Sequence, residues 1–452
     1  MKNEILTLIE EKKFSSLRQM LLALNPTDIS AILKETESKD LPLVFRILPK
    51  EIAAEVFVEM DSDMQQLLIE SFSDAELKDV LDELFMDDTV DIIEEMPAVV
   101  AKRILKQTDN KTRQMINKLL AYPDSSAGSV MTTEYISIKK NMTVDEAFVR
   151  IRQNAVDAES IYTCYVTDRS RHLLGVVTVK DLLLSHSDKV IEEIMETNVI
   201  SAGTLDDREE VAKLFEKYNL YTLPIVDTEN RLVGIITVDD AIEVMQEEVS
   251  EDIEKMAAIL PSEKDYFKTG VFETFKARIP WLLFLMISAT VTGAIISSFE
   301  VHLAKWMALI AFIPMLMGTG GNSGSQSSVT VIRGLSLGEI EYRDICRVIW
   351  KELRVSVICG LVLGVVNFVK LYLVDYLLLD SFDTDIYMLE MITISLTVIF
   401  IVIVAKFVGA TLPIIAKKLG FDPAVMASPL VTTILDALSL VIYFSIAIFL
   451  LS

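Results

Sequence analysis

Residues 238–260 read VDDAIEVMQEEVSEDIEKMAAIL, and they join two halves of opposite character. The stretch has neither glycine nor proline, which predicts one continuous helix. Asp240, Glu243, Glu247, Glu251 and Glu254 follow one another at steps of 3, 4, 4 and 3, forming a single acidic stripe. Glu248 and Asp252 add a neighbouring row. Like charges at this spacing repel, and within the stretch only Lys255 offsets them. The helix is therefore either a solvated surface element or one built to meet a cation. Hard divalent ions take oxygen ligands, and magnesium keeps several waters while binding one or two carboxylates.

The charge of the whole chain divides at the same place. Its 452 residues carry a net charge of −24, yet 51% are hydrophobic and the mean hydropathy is +0.41. The first 270 residues hold −23 of that charge and the remaining 182 hold −1. The acidic half excludes nucleic acid as a partner, because phosphate binding takes a basic footprint. Three cysteines (Cys164, Cys346, Cys359) and three histidines (His172, His186, His302) are too scattered for a disulfide framework or a zinc site. The amino terminus, MKNEILTLIEEKKF, lacks the apolar run of a signal peptide, so the acidic half is expected in the cytoplasm.

Upstream of the acidic helix lies an internal repeat. CYVTDRSRHLLGVVTVKDLL at 164–183 recurs as LPIVDTENRLVGIITVDDAI at 223–242, with Gly175 matching Gly234 at an offset of 59. Glu146 matches Glu210 at an offset of 64, so the first copy carries a five-residue insertion. Each unit reads as helix, strand, turn, strand, helix. The repeat resembles a tandem pair of CBS domains. Both copies hold that family's Gly-x-x-Thr-x-x-Asp pattern, as Gly175, Thr178, Asp181 and as Gly234, Thr237, Asp240. The resemblance implies that Thr178, Asp181, Thr237 and Asp240 contact an adenosine nucleotide in those members that bind one. Before the repeat, helix starts are predicted at Pro49, Asp61, Ser73, Asp87 and Pro97, with Ser73 and Glu76 as a capping box. Ala53, Val56, Phe57 and Met60 fall at helical spacing, so residues 1–130 form a stack of helix hairpins. Asp87, Asp88 and Asp91 cluster there, either to favour a helix dipole or to hold a cation.

Downstream, five apolar spans are predicted at 280–299, 303–320, 355–374, 387–410 and 424–450. Basic connections alternate with basic-poor ones, which puts the acidic half in the cytoplasm and the carboxyl terminus outside. Asp436 lies near the middle of the last span, where a charge costs roughly 2.5–3.5 kcal/mol. No span interior offers an obvious lysine or arginine to pair with it, so Asp436 is expected on an ion path. Thr432 shares its face. Asp422 starts the same helix beside Pro423, either as a ligand or as an N-cap. PMLMGTGGNSGSQSSVTVIRG at 314–334 does not suit a simple lipid-facing helix. Irregular backbone lining a cavity and tight helix packing are both consistent with it.

The order of parts, with GTGGNSGSQS at 318–327 and FDPAVMASPLVTTILDALSLVIYF at 421–444, resembles the MgtE family of magnesium channels and transporters over essentially the whole chain. The resemblance implies a multidomain membrane protein that is not an enzyme. It comprises an all-α N-terminal helical domain (1–130), an α/β tandem CBS pair (131–195 and 196–245), a connecting helix (246–275) and a five-helix transmembrane domain (276–452). It implies a homodimer in the bilayer with its pore on the two-fold axis. Hydrated magnesium binds there at Asp436, and Asp422 lies nearer the cytoplasmic mouth. Regulatory magnesium is implied at Asp87, Asp88 and Asp91, at Asp207 and Glu209, and on the connecting helix at Asp239, Asp240, Glu243, Glu248, Glu251 and Asp252. Some members also bind ATP in the CBS pair. Asn219 stands where an acid ligand occurs in the family, and Ser325 where an asparagine is common. The competing functions are a broader divalent-cation transporter passing Co2+ or Mn2+, a CBS-containing membrane nucleotide sensor without transport, and an anion channel. The last conflicts with the acidic mouth and Asp436.

Overall fold

The computed structural model describes residues 2–262, 266–267, 269–299, 307–376, 386–426 and 428–451, and divides into two compact units, Met1–Gln246 and Glu247–Ser452.

The first unit opens with ten described helices: α1 (Lys2–Glu10), α2 (Phe14–Leu21), α3 (Pro26–Leu33), α4 (Leu41–Phe45), α5 (Lys50–Val58), α6 (Ser62–Ser71), α7 (Asp74–Leu81), α8 (Met86–Glu95), α9 (Ala98–Gln107) and α10 (Asn110–Leu119). Pro49, Asp61, Ser73 and Pro97 occupy N-cap positions, and the Ser73–Glu76 capping box forms in both directions. The helix expected at Asp87 starts one residue earlier. Phe85 takes the extended cap conformation, and the Met86 N–H donates to Glu134 Oε2 at 2.8 Å.

Each copy of the repeat adds a strand to the pattern expected from its sequence. The first runs β1 (Tyr135–Lys139), α11 (Val144–Asn154), β2 (Ser160–Thr167), β3 (Leu173–Thr178), α12 (Val179–Leu184) and α13 (Ile191–Ile194). The second runs β4 (Ala202–Gly203), α14 (Arg208–Tyr218), β5 (Thr222–Val226), β6 (Leu232–Thr237) and α15 (Val238–Met256). In each three-stranded sheet the added first strand pairs parallel with the second, and the second pairs antiparallel with the third. The added strands escape notice because each is short and lies before its helix, outside the repeated segment. The repeated glycines have one steric cause. A Cβ on Gly175 would sit 2.7 Å from the Glu196 carbonyl oxygen, and one on Gly234 would sit 2.6 Å from that of Thr132. The copies meet through Tyr165, whose hydroxyl lies 2.7 Å from Thr222 Oγ1. One apolar core runs from the helical domain into the second copy, through Val211, Phe215, Leu223 and Ile236, while the first copy has its own.

α15 ends at Met256 rather than continuing through 275. Ala258 takes a left-handed φ of +55°, and the Ile259 N–H returns to the Glu254 carbonyl at 2.9 Å.

In the second unit α16 (Val271–Ser298), α17 (Met307–Ile310), α18 (Ile313–Ser336), α19 (Ile345–Lys370), α20 (Tyr387–Lys418) and α21 (Ser428–Leu451) follow. Among the described residues four helical segments are long and apolar enough to cross a membrane, namely Val271–Ser298, Tyr342–Tyr376, Tyr387–Lys418 and Pro423–Leu451. The span expected at 303–320 lies partly outside the described residues, and the helix that follows it is displaced toward the carboxyl terminus. That helix, α18, contains the Gly/Ser-rich stretch. Its backbone is a continuous helix rather than irregular, and twelve of its 24 residues are buried. Glycine permits this packing. A Cβ on Gly324 would meet Leu435 and the Ala405 carbonyl, and a Cβ on Gly409 would lie 2.2 Å from the Gly324 carbonyl oxygen. α16 buries no residue, as suits a helix facing lipid.

Candidate metal sites

In the first unit α8 presents Asp87, Asp88 and Asp91 toward the start of α15, which contributes Asp239, Asp240 and Glu243. Glu134 and Glu159, which carry no motif, complete the group. After burial, the charges that act most strongly on Asp87, Asp88, Asp91 and Glu159 are neighbouring carboxylates. Burial, reinforced by the neighbouring carboxylates, pushes Asp88 to about 7 and Asp91 and Glu159 to about 8. Asp87 is only 8% exposed and is pushed well above the carboxylate range by burial and then by Asp88. Asp240 reaches only about 6, because hydrogen bonds from Thr237 oppose its burial. Asp87 Oδ1 and Glu159 Oε2 are buried with no hydrogen-bond partner among the described residues. Buried acceptors and shared negative charge suit a hydrated divalent cation, which would displace the protons held near neutral pH. Among the described residues no three acids converge tightly enough to enclose a metal directly.

The remaining cytoplasmic candidates have local partners. Asp207 caps α14 by accepting from the Glu209 and Glu210 N–H groups at 2.9 and 3.4 Å. Glu209 pairs with Lys213 at 2.9 Å. Asn219, at a position where the family resemblance implies an acid, is the left-handed C-cap of α14 at φ +52°, a conformation asparagine tolerates. Thr178 caps α12 and bonds Asp181. Thr237 and Asp240 repeat the contact at 2.6 Å, but their carboxylate belongs to the acidic group described above.

In the second unit Lys255 stands between two acids. Its ammonium donates to Glu251 at 2.6 Å and to Asp422 at 2.7 Å. Burial works against this charge, but the hydrogen bonds to Asp422 and Glu251 outweigh it and hold Lys255 above the usual lysine range. Asp422 takes the cap role expected of a helix-start acid and adds a contact to a lysine. One oxygen accepts from the Ala424 N–H at 2.8 Å, capping the 3-10 turn Pro423–Met426, and the other takes Lys255. Asp252 accepts from Ser336 at 3.4 Å. Glu248 lies on the same helix and also has a partner.

Asp436 is half-buried in α21, one turn beyond Thr432, and no charged group among the described residues acts on it. Thr432 Oγ1 lies 3.5 Å from Ser325 Oγ of α18, so the polar faces of the two helices meet beside it. A charged lysine does lie within a span, contrary to the reading of the sequence. Lys406 of α20 is buried but bonds Ser327 rather than Asp436. A span-by-span search for basic residues would have found it, along with Lys370 in α19.

Comparison with known proteins agrees with this arrangement. Residues 313–446 match MgtE, described as a divalent cation transporter. Residues 24–125 match the MgtE intracellular N domain, and 127–187 and 191–247 match the CBS domain. The chain is 36% identical over 443 residues to the magnesium transporter MgtE of Thermus thermophilus, covering 97% of this chain and 96% of that one. It is 34% identical over 444 residues to the Bacillus subtilis protein of the same name, covering 98% and 96%. A solved structure of the cytosolic domain of the Mg2+ channel MgtE in complex with ATP superposes with a TM-score of 0.52 at 34% identity, covering 54% of this chain and all of that one.

Proposed function

The chain belongs to the MgtE family of divalent cation transporters, and from that premise we propose that it admits magnesium to the cell down its electrochemical gradient and is closed by cytoplasmic magnesium. Asp436 carries the proposal: a carboxylate inside a span with no charged neighbour among the described residues. Its cost in the membrane is offset when a cation passes it. A divalent ion gains about 4.6 kcal/mol in crossing 100 mV inward, so no further energy source is needed.

Closure rests on the acids outside the membrane. At low magnesium the carboxylates of α8 and α15 repel, and at high magnesium hydrated ions bridge them. Several weak sites acting together make the response steep, because each adds its differential binding energy to the shift. Within the second unit the Lys255 bridge ties α15 to Asp422 at the start of the last span, a contact that suits a closed mouth. The family resemblance supports a homodimer with the carboxyl terminus outside. Purified protein in liposomes, recorded by patch clamp, tests the gating. Wild type is expected to close as magnesium on the cytoplasmic face rises, and Glu248→Gln with Glu251→Gln is expected to stay open. Normal closure of that variant would remove these acids from the sensor.

Adenosine nucleotide binding is proposed for the first CBS copy, where Asp181 is exposed. In the second copy Asp240 lies among acids that repel phosphate. The ATP-bound relative supports this reading. Calorimetric titration with ATP is expected to lose at least about tenfold in affinity on Asp181→Ala, or about 1.4 kcal/mol. An unchanged affinity would move the nucleotide elsewhere.

A further inference from the structure

Three helices of the membrane unit bring a buried glutamate and a buried lysine onto one serine hydroxyl, a group that the transport path as described does not use. Ser327 of α18 donates to Glu352 Oε2 of α19 at 2.6 Å and accepts from Lys406 Nζ of α20 at 3.4 Å. Glu352 is 9% exposed and Lys406 6%. Both line an open cavity of about 840 Å3, together with Asn322, Ser325 and Gln326 of α18. Ser325 in turn lies 3.5 Å from Thr432, one turn from Asp436. The cavity therefore adjoins the polar face that carries the pore carboxylate.

The charges of this wall decide what the cavity does. A lone buried carboxylate here would be a hard oxygen ligand beside the ion path, and would hold a divalent cation in a side pocket. A lone ammonium would repel cations from the neighbourhood of Asp436. Bridged through Ser327, the two leave a wall that is polar but carries no net charge, and breaking either partner leaves the other uncompensated.

We propose that Lys406 is a specificity-determining residue, a tethered counter-cation that faces Glu352 across the Ser327 hydroxyl, so that the transported ion binds at Asp436 and not in the adjoining cavity. The proposal rests on the transport reading. Removing the ammonium turns Glu352 into an additional cation site. Removing both charges restores the neutral wall.

The test counts ions as well as flux, with Mn2+ as the probe. Full-length wild type, Lys406→Met, Lys406→Arg, Glu352→Gln and the double variant Lys406→Met/Glu352→Gln are compared in liposomes. By electron paramagnetic resonance, Lys406→Met is expected to bind about one more Mn2+ per chain than wild type. The double variant and Lys406→Arg are expected to bind the wild-type number. Magnesium flux is expected to fall about tenfold in Glu352→Gln, where the lysine stands alone, and to recover in the double variant. An equal Mn2+ count in Lys406→Met and wild type would overturn the proposal, and so would an extra ion that survives loss of Glu352. If Lys406→Met does not fold, the fall and recovery between Glu352→Gln and the double variant decide the same question. Absence of magnesium flux in wild type would defeat the transport reading, and the Mn2+ counts would still stand as a separate result.

Discussion

Replacing Asp436 with alanine is expected to lower magnesium influx by about 100-fold while leaving the protein folded. A carboxylate kept in a span at a cost of about 2.5–3.5 kcal/mol must gain at least that much from the ion it serves. Losing 2.7 kcal/mol of interaction is about a hundredfold in occupancy. Asp436→Asn keeps an oxygen ligand without the charge and is expected to fall between alanine and wild type. Both are measured with a magnesium indicator trapped in proteoliposomes under a set potential. The alanine variant is not expected to unfold, because Asp436 makes no ion pair with any described residue and its removal strands no partner. Influx at the wild-type rate would take Asp436 out of the ion path, and with it the observation on which the transport mechanism stands.

The second large effect concerns the acids of α8 and α15. Asp88, Asp91 and Glu159 sit at about 7, 8 and 8, because burial and neighbouring carboxylates disfavour their charged forms. A group whose folded pKa lies above its unfolded value binds its proton more tightly when folded. Stability is then greatest below the ordinary carboxylate range, near 4, and is lost as pH rises to about 8. Without divalent ions, the cytoplasmic unit of the full chain is therefore expected to melt at progressively lower temperature between pH 5 and pH 8. Magnesium is expected to reverse the loss, because it binds the charged form. Asp88→Asn with Asp91→Asn is expected to melt about 2–8 °C above wild type at pH 8 without magnesium, the shift that about 1–2 kcal/mol produces in a unit of this size. It is also expected to lose most of the magnesium response. Calorimetry across pH with and without magnesium measures both. A double variant less stable than wild type at pH 8, or equally responsive to magnesium, would mean that these acids are structural.

Particular residues show where sequence is informative. Ser73 and Glu76 cap a helix as their spacing requires, because a capping box is satisfied within four residues of chain. The glycines Gly175 and Gly234 mark equivalent turns of packing, because a repeated steric demand leaves a repeated residue. Asp436 announces itself, because a charge amid apolar residues is costly wherever the helix lies. The two extra strands, by contrast, contain five and two residues, too few for a period to register. The Gly/Ser-rich stretch looks unlike a helix because glycine is a poor helix former in isolation. In the folded unit the close approach of α20 and α21 makes those same glycines necessary.

Composition, period and spacing by themselves determined the acidic and membrane halves, the tandem repeat, the helical stack, the acids of α15 and the place of Asp436 amid apolar residues, since each is legible within one turn, one strand or one repeat. Only tertiary structure decided what these residues meet. Lys255 finds Asp422 across 167 positions, and Lys406 finds Ser327 across 79. Glu134 and Glu159 join Asp88 and Asp240, although no motif links them. The physical reason is that the cost of a charge is set by what surrounds it after folding. A lysine stays solvated or becomes a fixed partner according to which distant group, the Asp422 carboxylate for Lys255 or the Ser327 hydroxyl for Lys406, the packing brings within hydrogen-bond reach.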